Sequence, residues 1–413
     1  VIMSSDVNSM LDKKIVFPNT LTYFLVAGFL LGTATFIYSL NSGHQDTAWA
    51  AFHLNFVFWA GISHGGVLFA CVMRITNSSW GRSLMRISES FGSFIPFVFL
   101  FLFILFLGRE YTMPYTVLEY KQKWLSTPFV FMRSVFCLGL LHILFYYYLY
   151  YSIRQDCVGS NRLTGFFSFL GSNPKEKEDP SSYDSKLYKF SVAIAFIYAL
   201  TMSFLSWDFM MSLHPHFYST LFGVYYFIAS LLGALGLLII ISSILTNRFQ
   251  LENVITEYQF YDAAKLMFGL SVFWLYLFFS QFLPIWYANM PEETGFIGAR
   301  VFEDPYKSLS WVTVTCVFVV PFITLIPRTT KIVKPALVTI ASVSFLGLFL
   351  EKIVLIYPSI MHHHFHFGLE SMLISFGFLC LYLLCVTKFL AYFPIFASKD
   401  KYLIKKLTQG DGH

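Results

Sequence analysis

Ten apolar runs of about 20 residues recur along the whole of this sequence, and a helix of that length crosses the ~30 Å hydrocarbon core of a bilayer. They fall at 21–40, 49–75, 84–108, 126–151, 187–205, 219–245, 263–285, 311–326, 335–357 and 370–390. A soluble core does not require such runs. The expected fold class is therefore all-α and integral to the membrane, with about ten transmembrane helices. The run 311–326 is the shortest and is expected to extend toward Leu309. Composition agrees where it discriminates: only 12% of residues are charged and the mean hydropathy is +0.63, whereas about a quarter of a soluble domain is charged. Aromatic residues reach 20%, including 49 Phe, a supply of rings for gaps between helices and for the headgroup region.

Lysine and arginine set the orientation. Of 28 such residues, 21 lie toward one side, in connections or near span ends, and six toward the other, with Arg133 inside a span. Basic connections stay in the cytoplasm, and an even number of spans then puts both termini there. A multi-pass protein of a bacterial inner membrane is expected. The same asymmetry explains the net charge of +5, so lipids and not nucleic acid are the expected surroundings. The longest polar stretch, 155–186, reads as a cytoplasmic linker loop. The chain 1–413 then forms one polytopic domain. Its first bundle covers 49–151 plus 187–205, its second covers 219–357, and a last helix occupies 370–390. No cleavable signal peptide is expected, because the start is polar and no A-x-A-like site follows the first run.

Ionisable groups inside the membrane cost about 2.5–3.5 kcal/mol or more each, so they mark function or structure that repays them. His53 and His64 lie 11 residues apart in the second run, about 20° apart on one helix face and ~16 Å apart in depth. Gly61, Gly65 and Gly66 leave room beside His64 for a helix or a ligand. Glu89 lies near the cytoplasmic end of the third run, and Pro96 is placed to kink its middle. Arg133 and His142 occupy the fourth run, nine residues apart and so on opposite faces. Asp208 and His214 lie at the outer end of the fifth, Glu351 and Lys352 near the outer end of the ninth. Glu370 opens the tenth, and Asp262 and Lys265 sit at the inner end of the seventh.

Ordered by depth, these residues make polar clusters near each surface with His64 and His142 between them. Two readings stand. Glu89, His64, His142 and Asp208 form a ladder that passes protons or binds a polar headgroup. Alternatively, charges such as His53, Arg133, Glu351, Lys352, Glu370 and Lys265 are internal pairs that lock helix register. No redox cofactor or metal is expected on this chain. The six cysteines (Cys71, Cys137, Cys157, Cys316, Cys380 and Cys385) form no C-x-x-C and read as small apolar fillers. Two haems in a four-helix cytochrome need two histidines on each of two helices, and only the second run has two. The cluster His362, His363, His364 and His366 reads as a solvated outer loop.

Three stretches carry a family resemblance. The first is Gly61-Ile62-Ser63-His64-Gly65-Gly66, followed by Arg74-Ile75-Thr76-Asn77, Trp80-Gly81-Arg82-Ser83, Arg86 and Glu89. The second is Ser206-Trp207-Asp208-Phe209-Met210-Met211-Ser212-Leu213-His214-Pro215. The third runs from Ser280-Gln281-Phe282 through Trp286-Tyr287-Ala288-Asn289 to Pro291-Glu292-Glu293-Thr294. In this order they resemble the NrfD/PsrC-like membrane subunits of alternative complex III, ActF more than its paralogue ActC. The resemblance implies two four-helix bundles and a respiratory complex that oxidises quinol and passes electrons to a cytochrome c or a terminal oxidase. It also implies an ActC-like membrane partner, an iron–sulfur subunit and multihaem c-type cytochrome subunits, with haem c and iron–sulfur clusters held by those partners. His64 occupies the position of a histidine in ActC, which makes it a quinone-site or proton-path candidate. Glu110 is the candidate for the quinol-site acid, although its surroundings depart from the family pattern. The implied role is structural support plus a proton route. A quinone-binding subunit proper and a secondary transporter are the rival readings.

Overall fold

A computed structural model describes residues 15–113, 122–157, 180–214, 216–361 and 367–409. Ten of its helices are long and apolar enough to cross a membrane, and no strand occurs among the described residues. Helices keep every backbone hydrogen bond within the segment, which hydrocarbon demands. The spanning helices are α1 (Asn19–Asn41), α2 (Gln45–Ile75), α3 (Met85–Leu107), α4 (Thr127–Cys157), α5 (Pro180–Phe209), α6 (Leu221–Phe249), α7 (Glu257–Ala288), α8 (Tyr306–Thr324), α9 (Lys334–Ile360) and α10 (Leu369–Tyr392).

Local chemistry fixes their ends. Asn77, Gln250 and Asn289 take the left-handed conformation just past α2, α6 and α7, where asparagine is tolerated as a helix stop. Thr256 and Gln259 form a reciprocal capping box at the start of α7, which occupies two otherwise orphan donors. The third span is not a uniform helix. Met85–Glu89 is α-helical, Ser90–Phe94 is 3₁₀, and Ile95–Leu107 is α-helical again. Pro96 stands in the first turn of that last piece, where its missing N–H breaks no bond. In α8 a π turn at Thr315–Val319 precedes Pro321.

α2 is the hub. Its apolar window is 94% buried, the pattern of a helix that is hydrophobic on all sides because protein surrounds it. It packs against α3, α5, α6, α9 and α10. α4 packs on α3 and α5, while α6 packs on α7 and α9, and α8 on α9. α5 and α6 also meet. α1 and α10 pair alongside these two groups at close range, where a Cβ on Gly32 would lie 2.6 Å from the Gly377 Cα. The glycines beside His64 admit helices. A Cβ on Gly65 would lie 2.8 Å from the Ser230 carbonyl of α6, and one on Gly66 would lie 2.5 Å from the Phe91 ring.

The stretch 155–186, expected to be a linker, is helical at both of its ends. α4 continues through Gln155 and Asp156, and α5 begins at Pro180; residues 158–179 lie outside the described residues. The reason is pairing across the two helices and beneath them. Gln155 donates to Asp184 at 3.0 Å, and Asp156 is buried against Arg86. The basic connections gather at one end of the molecule, where Lys401 reaches Asp184 at 3.4 Å and Asp400 binds Arg82. That end is the basic face.

Candidate functional site

The first group of helices carries three polar stations, and α4 contributes to each. The station nearest the basic face is built on the α2 end, the start of α3, the α4 end and the segment after α10. Glu89 is fully buried. It accepts hydrogen bonds from Arg86 at 2.6 Å, Tyr148 at 2.9 Å and Ser152 at 2.9 Å. Arg86 also pairs with Asp156, whose other oxygen accepts the Lys399 backbone N–H at 3.0 Å. Arg74 donates to the Tyr148 hydroxyl at 3.0 Å and lies 4.0 Å from Glu89 and 3.7 Å from Asp400. Arg82 donates to Asp400 at 2.8 Å.

Three arginines (74, 82 and 86) thus face three carboxylates (89, 156 and 400), a buried set with no net charge. Buried charges persist when each is paired and hydrogen-bonded. Burial pushes the Arg82 guanidinium down and Asp400 beside it pushes it back up. Asp400 also accepts the backbone N–H groups of Tyr402 and Leu403 and so caps the helix Lys401–Gln409. A polar cavity of about 340 Å³, bordered by Arg74, Arg82, Asp184 and Asp400, opens beside this station.

The middle station is a pair of histidines. His64 of α2 and His142 of α4 approach Nε2 to Nε2 at 2.9 Å, with rings stacked at 5.0 Å between centroids. The His64 Nδ1 lies 2.6 Å from the Ala60 carbonyl. A carbonyl can only accept, so this nitrogen carries the hydrogen. With both rings neutral, His64 Nε2 is then the acceptor and His142 Nε2–H the donor. A proton arriving on the outer nitrogen of His142 can therefore pass its Nε2 hydrogen to His64. His142 also borders a cleft of about 690 Å³ between α3 and α4, whose neighbours Ile143 and Tyr146 are exposed on the membrane-facing side.

At the third station, toward the opposite face, Arg133 of α4 meets Asp208 of α5. The guanidinium Nε donates to Asp208 at 3.0 Å, and a second bond runs in parallel. Trp124 and Phe129 cover the guanidinium at 4.2 and 4.9 Å. Along α4, Arg133 and His142 are separated by ~14 Å of helix rise, and His142 and Tyr148 by ~9 Å. Protons cross such gaps only over intervening water.

The other sequence candidates divide clearly. His53 donates to the Phe209 carbonyl at 2.7 Å, a contact between α2 and the end of α5. Glu351 and Lys352 pair with each other, and Glu351 also accepts from Trp274 at 2.7 Å; they belong to the second group of helices. Two more candidates lie near helix ends. Lys265, toward the basic-face end of α7, is half exposed and pairs with Asp262 at 2.6 Å. Glu370 opens α10 at the opposite face and holds Ser39 at 2.7 Å and His44 at 2.8 Å. Glu110 is exposed on the short helix Arg109–Thr112 and is not brought to His64, which is buried in mid-span. The cluster His362, His363, His364 and His366 lies outside the described residues.

A family model described as polysulphide reductase, NrfD, matches residues 40–363. The chain belongs to the NrfD family. No curated protein matches it. As an NrfD-family chain it is a multi-pass membrane subunit, and such subunits typically work within redox enzyme complexes beside iron–sulfur and other redox subunits. The NrfD match contains all three stations except Asp400 and the rest of the segment after α10.

Sequence reasoning missed Tyr148, Ser152, Asp156 and Asp400. The two acids left a signal: Asp156 stands at the basic end of a span and Asp400 in the segment after the last one, each amid Lys and Arg (Arg154 beside Asp156, Lys399 and Lys401 beside Asp400). An acid there is placed to bind an arginine facing inward. The two hydroxyls left none, since polar residues at a span end are ordinary.

Proposed function

We propose that this chain is an ActF-like membrane subunit of a quinol-oxidising complex of the alternative complex III type. It carries no redox centre of its own, scaffolds the subunits that do, and supplies a transmembrane proton route. Electrons run through the iron–sulfur and c-type haem partners to a cytochrome c or a terminal oxidase. The proton route runs from Glu89, by the His64–His142 pair, to Asp208. The observation that carries this reading is the histidine pair itself. Two imidazoles in direct hydrogen bond at mid-membrane, with a buried carboxylate toward each face, form a relay that helix packing alone does not require.

Each station acts differently in this reading. Glu89 holds a proton drawn from the basic face through the cavity beside Arg74 and Asp400. The histidines hand it across the middle once the His64 Nδ1–H turns from the Ala60 carbonyl to water, which takes the proton that the carbonyl cannot pass on. Asp208 releases it when its bond to Arg133 opens. Exchanging His142 for Phe tests this without disturbing charge balance, since the pair is neutral at rest and the ring volume is kept. The expected result, in the intact complex in vesicles, is a quinol oxidation rate within about twofold of wild type and a proton-to-electron ratio reduced by the share this chain carries. An unchanged ratio removes the histidines from the route. The cleft bordering His142 favours one second reading, in which a quinone ring enters between α3 and α4. Quinone that copurifies with the wild type but not with His142→Phe would support it.

A further inference from the structure

The second group of helices holds an aromatic slot that the proton route does not use. It lies toward the opposite face, between α6, α7, α8, α9 and the helix Pro291–Val301, and encloses about 90 Å³. Phe222, Trp274, Phe278, Phe282 and Phe296 supply most of its wall. Among the polar side chains that border it are Gln281, Arg300, Ser310, Thr313 and Glu351, of which Arg300 and Glu351 are charged.

Arg300 is the unusual one. It is 4% exposed and lies on the Phe296 ring at 3.6 Å. Its terminal nitrogens donate to the carbonyls of Phe296 and Leu355 and to Ser359, each at 2.8 Å. These partners are neutral, and among the described residues no carboxylate forms an ion pair with it. Its Nε is buried and has no acceptor among the described residues. Glu351 does not balance it, because that carboxylate is already engaged by Lys352 and Trp274. Arg300, Lys352 and Glu351 together leave one positive charge beside an apolar slot. Burial pushes the Arg300 guanidinium down to about 9, so it still carries its charge at neutral pH.

We propose that this slot binds a single-chain membrane amphiphile, whose carboxylate lies against Arg300 and whose hydrocarbon runs between the aromatic rings toward lipid. An anionic oxygen would supply both the missing acceptor for Nε and the missing charge. The slot is narrow, with room for a headgroup and the start of one chain. Its α7 and α8 walls face the membrane, since Leu283 and Trp311, the sequence neighbours of lining residues, are exposed. This proposal is independent of the proton route.

Trp274 in the wall provides the readout. The full chain in nanodiscs is titrated with a brominated stearate and, separately, with the matching brominated alcohol, and the Trp274 signal is taken as the difference from Trp274→Phe. The carboxylate is expected to quench Trp274 saturably, with the alcohol and the Arg300→Gln variant about tenfold weaker or worse. Val314→Phe fills the slot without touching Arg300 and is expected to abolish the quenching. Equal quenching by alcohol and acid, or undiminished quenching in Val314→Phe, overturns the proposal. So does displacement of the brominated stearate by a short-chain benzoquinone at lower concentration than by stearate, which would put a neutral ring in the slot.

Discussion

Arg86→Met is expected to destabilise the protein by about 3–5 kcal/mol, the usual cost of removing one partner from a buried ion pair. The reason is the geometry around Arg86. Its guanidinium serves Glu89 and Asp156 together, and it also donates to the Ser152 carbonyl. Methionine fills the volume and leaves two carboxylates in a site with 0% and 3% exposure. Arg74, 4.0 Å from Glu89, is too distant to replace the lost bonds. Asp156 also holds the Lys399 backbone, so the segment after α10 should loosen first. Thermal unfolding in detergent, with proteolysis around residue 399 as a local probe, measures both effects. A melting temperature equal to wild type would mean that the arginines and acids are not paired as described.

The second large effect separates structure from function at the Arg133–Asp208 pair. Arg133→Met and Asp208→Leu, made singly, should each cost about 3–5 kcal/mol, because each leaves one buried charge unpaired. Made together they should cost little, since replacing a buried pair with apolar groups of similar volume is often neutral or stabilising. The double variant is therefore stable enough for transport measurements. On the proposed route it assembles, oxidises quinol and moves fewer protons per electron. If it moves as many as wild type, the pair only sets helix register, and the exit lies elsewhere.

The fold was legible because hydrocarbon imposes a coarse rule. Apolar runs near 20 residues and the sidedness of Lys and Arg both follow from the bilayer, and ten spanning helices result. Segment ends were harder to read, because pairing between helices decides them. Gln155 and Asp156 read as loop by composition, yet partners on α5 and α3 keep them helical. The candidate site was legible in part for a similar reason. A histidine or acid deep in an apolar run stands out whatever its neighbours, so Glu89, His64, His142, Arg133 and Asp208 were visible singly. Which of them meet was not visible, because the partners are 78 and 75 residues apart along the chain and only packing decides their register. Asp400 was hidden further, in a polar stretch past the last span, with its burial visible only once that stretch folds back beneath α2 and α4.

The first measurement is a mild-detergent purification of the chain from its native membrane, with a haem absorption spectrum and identification of the copurifying subunits by mass spectrometry. A c-type haem spectrum, an iron–sulfur protein and a second, similar ten-helix membrane subunit are the predicted result. A chain that purifies alone and without haem would contradict membership of a quinol-oxidising complex and bring the secondary-transporter reading forward.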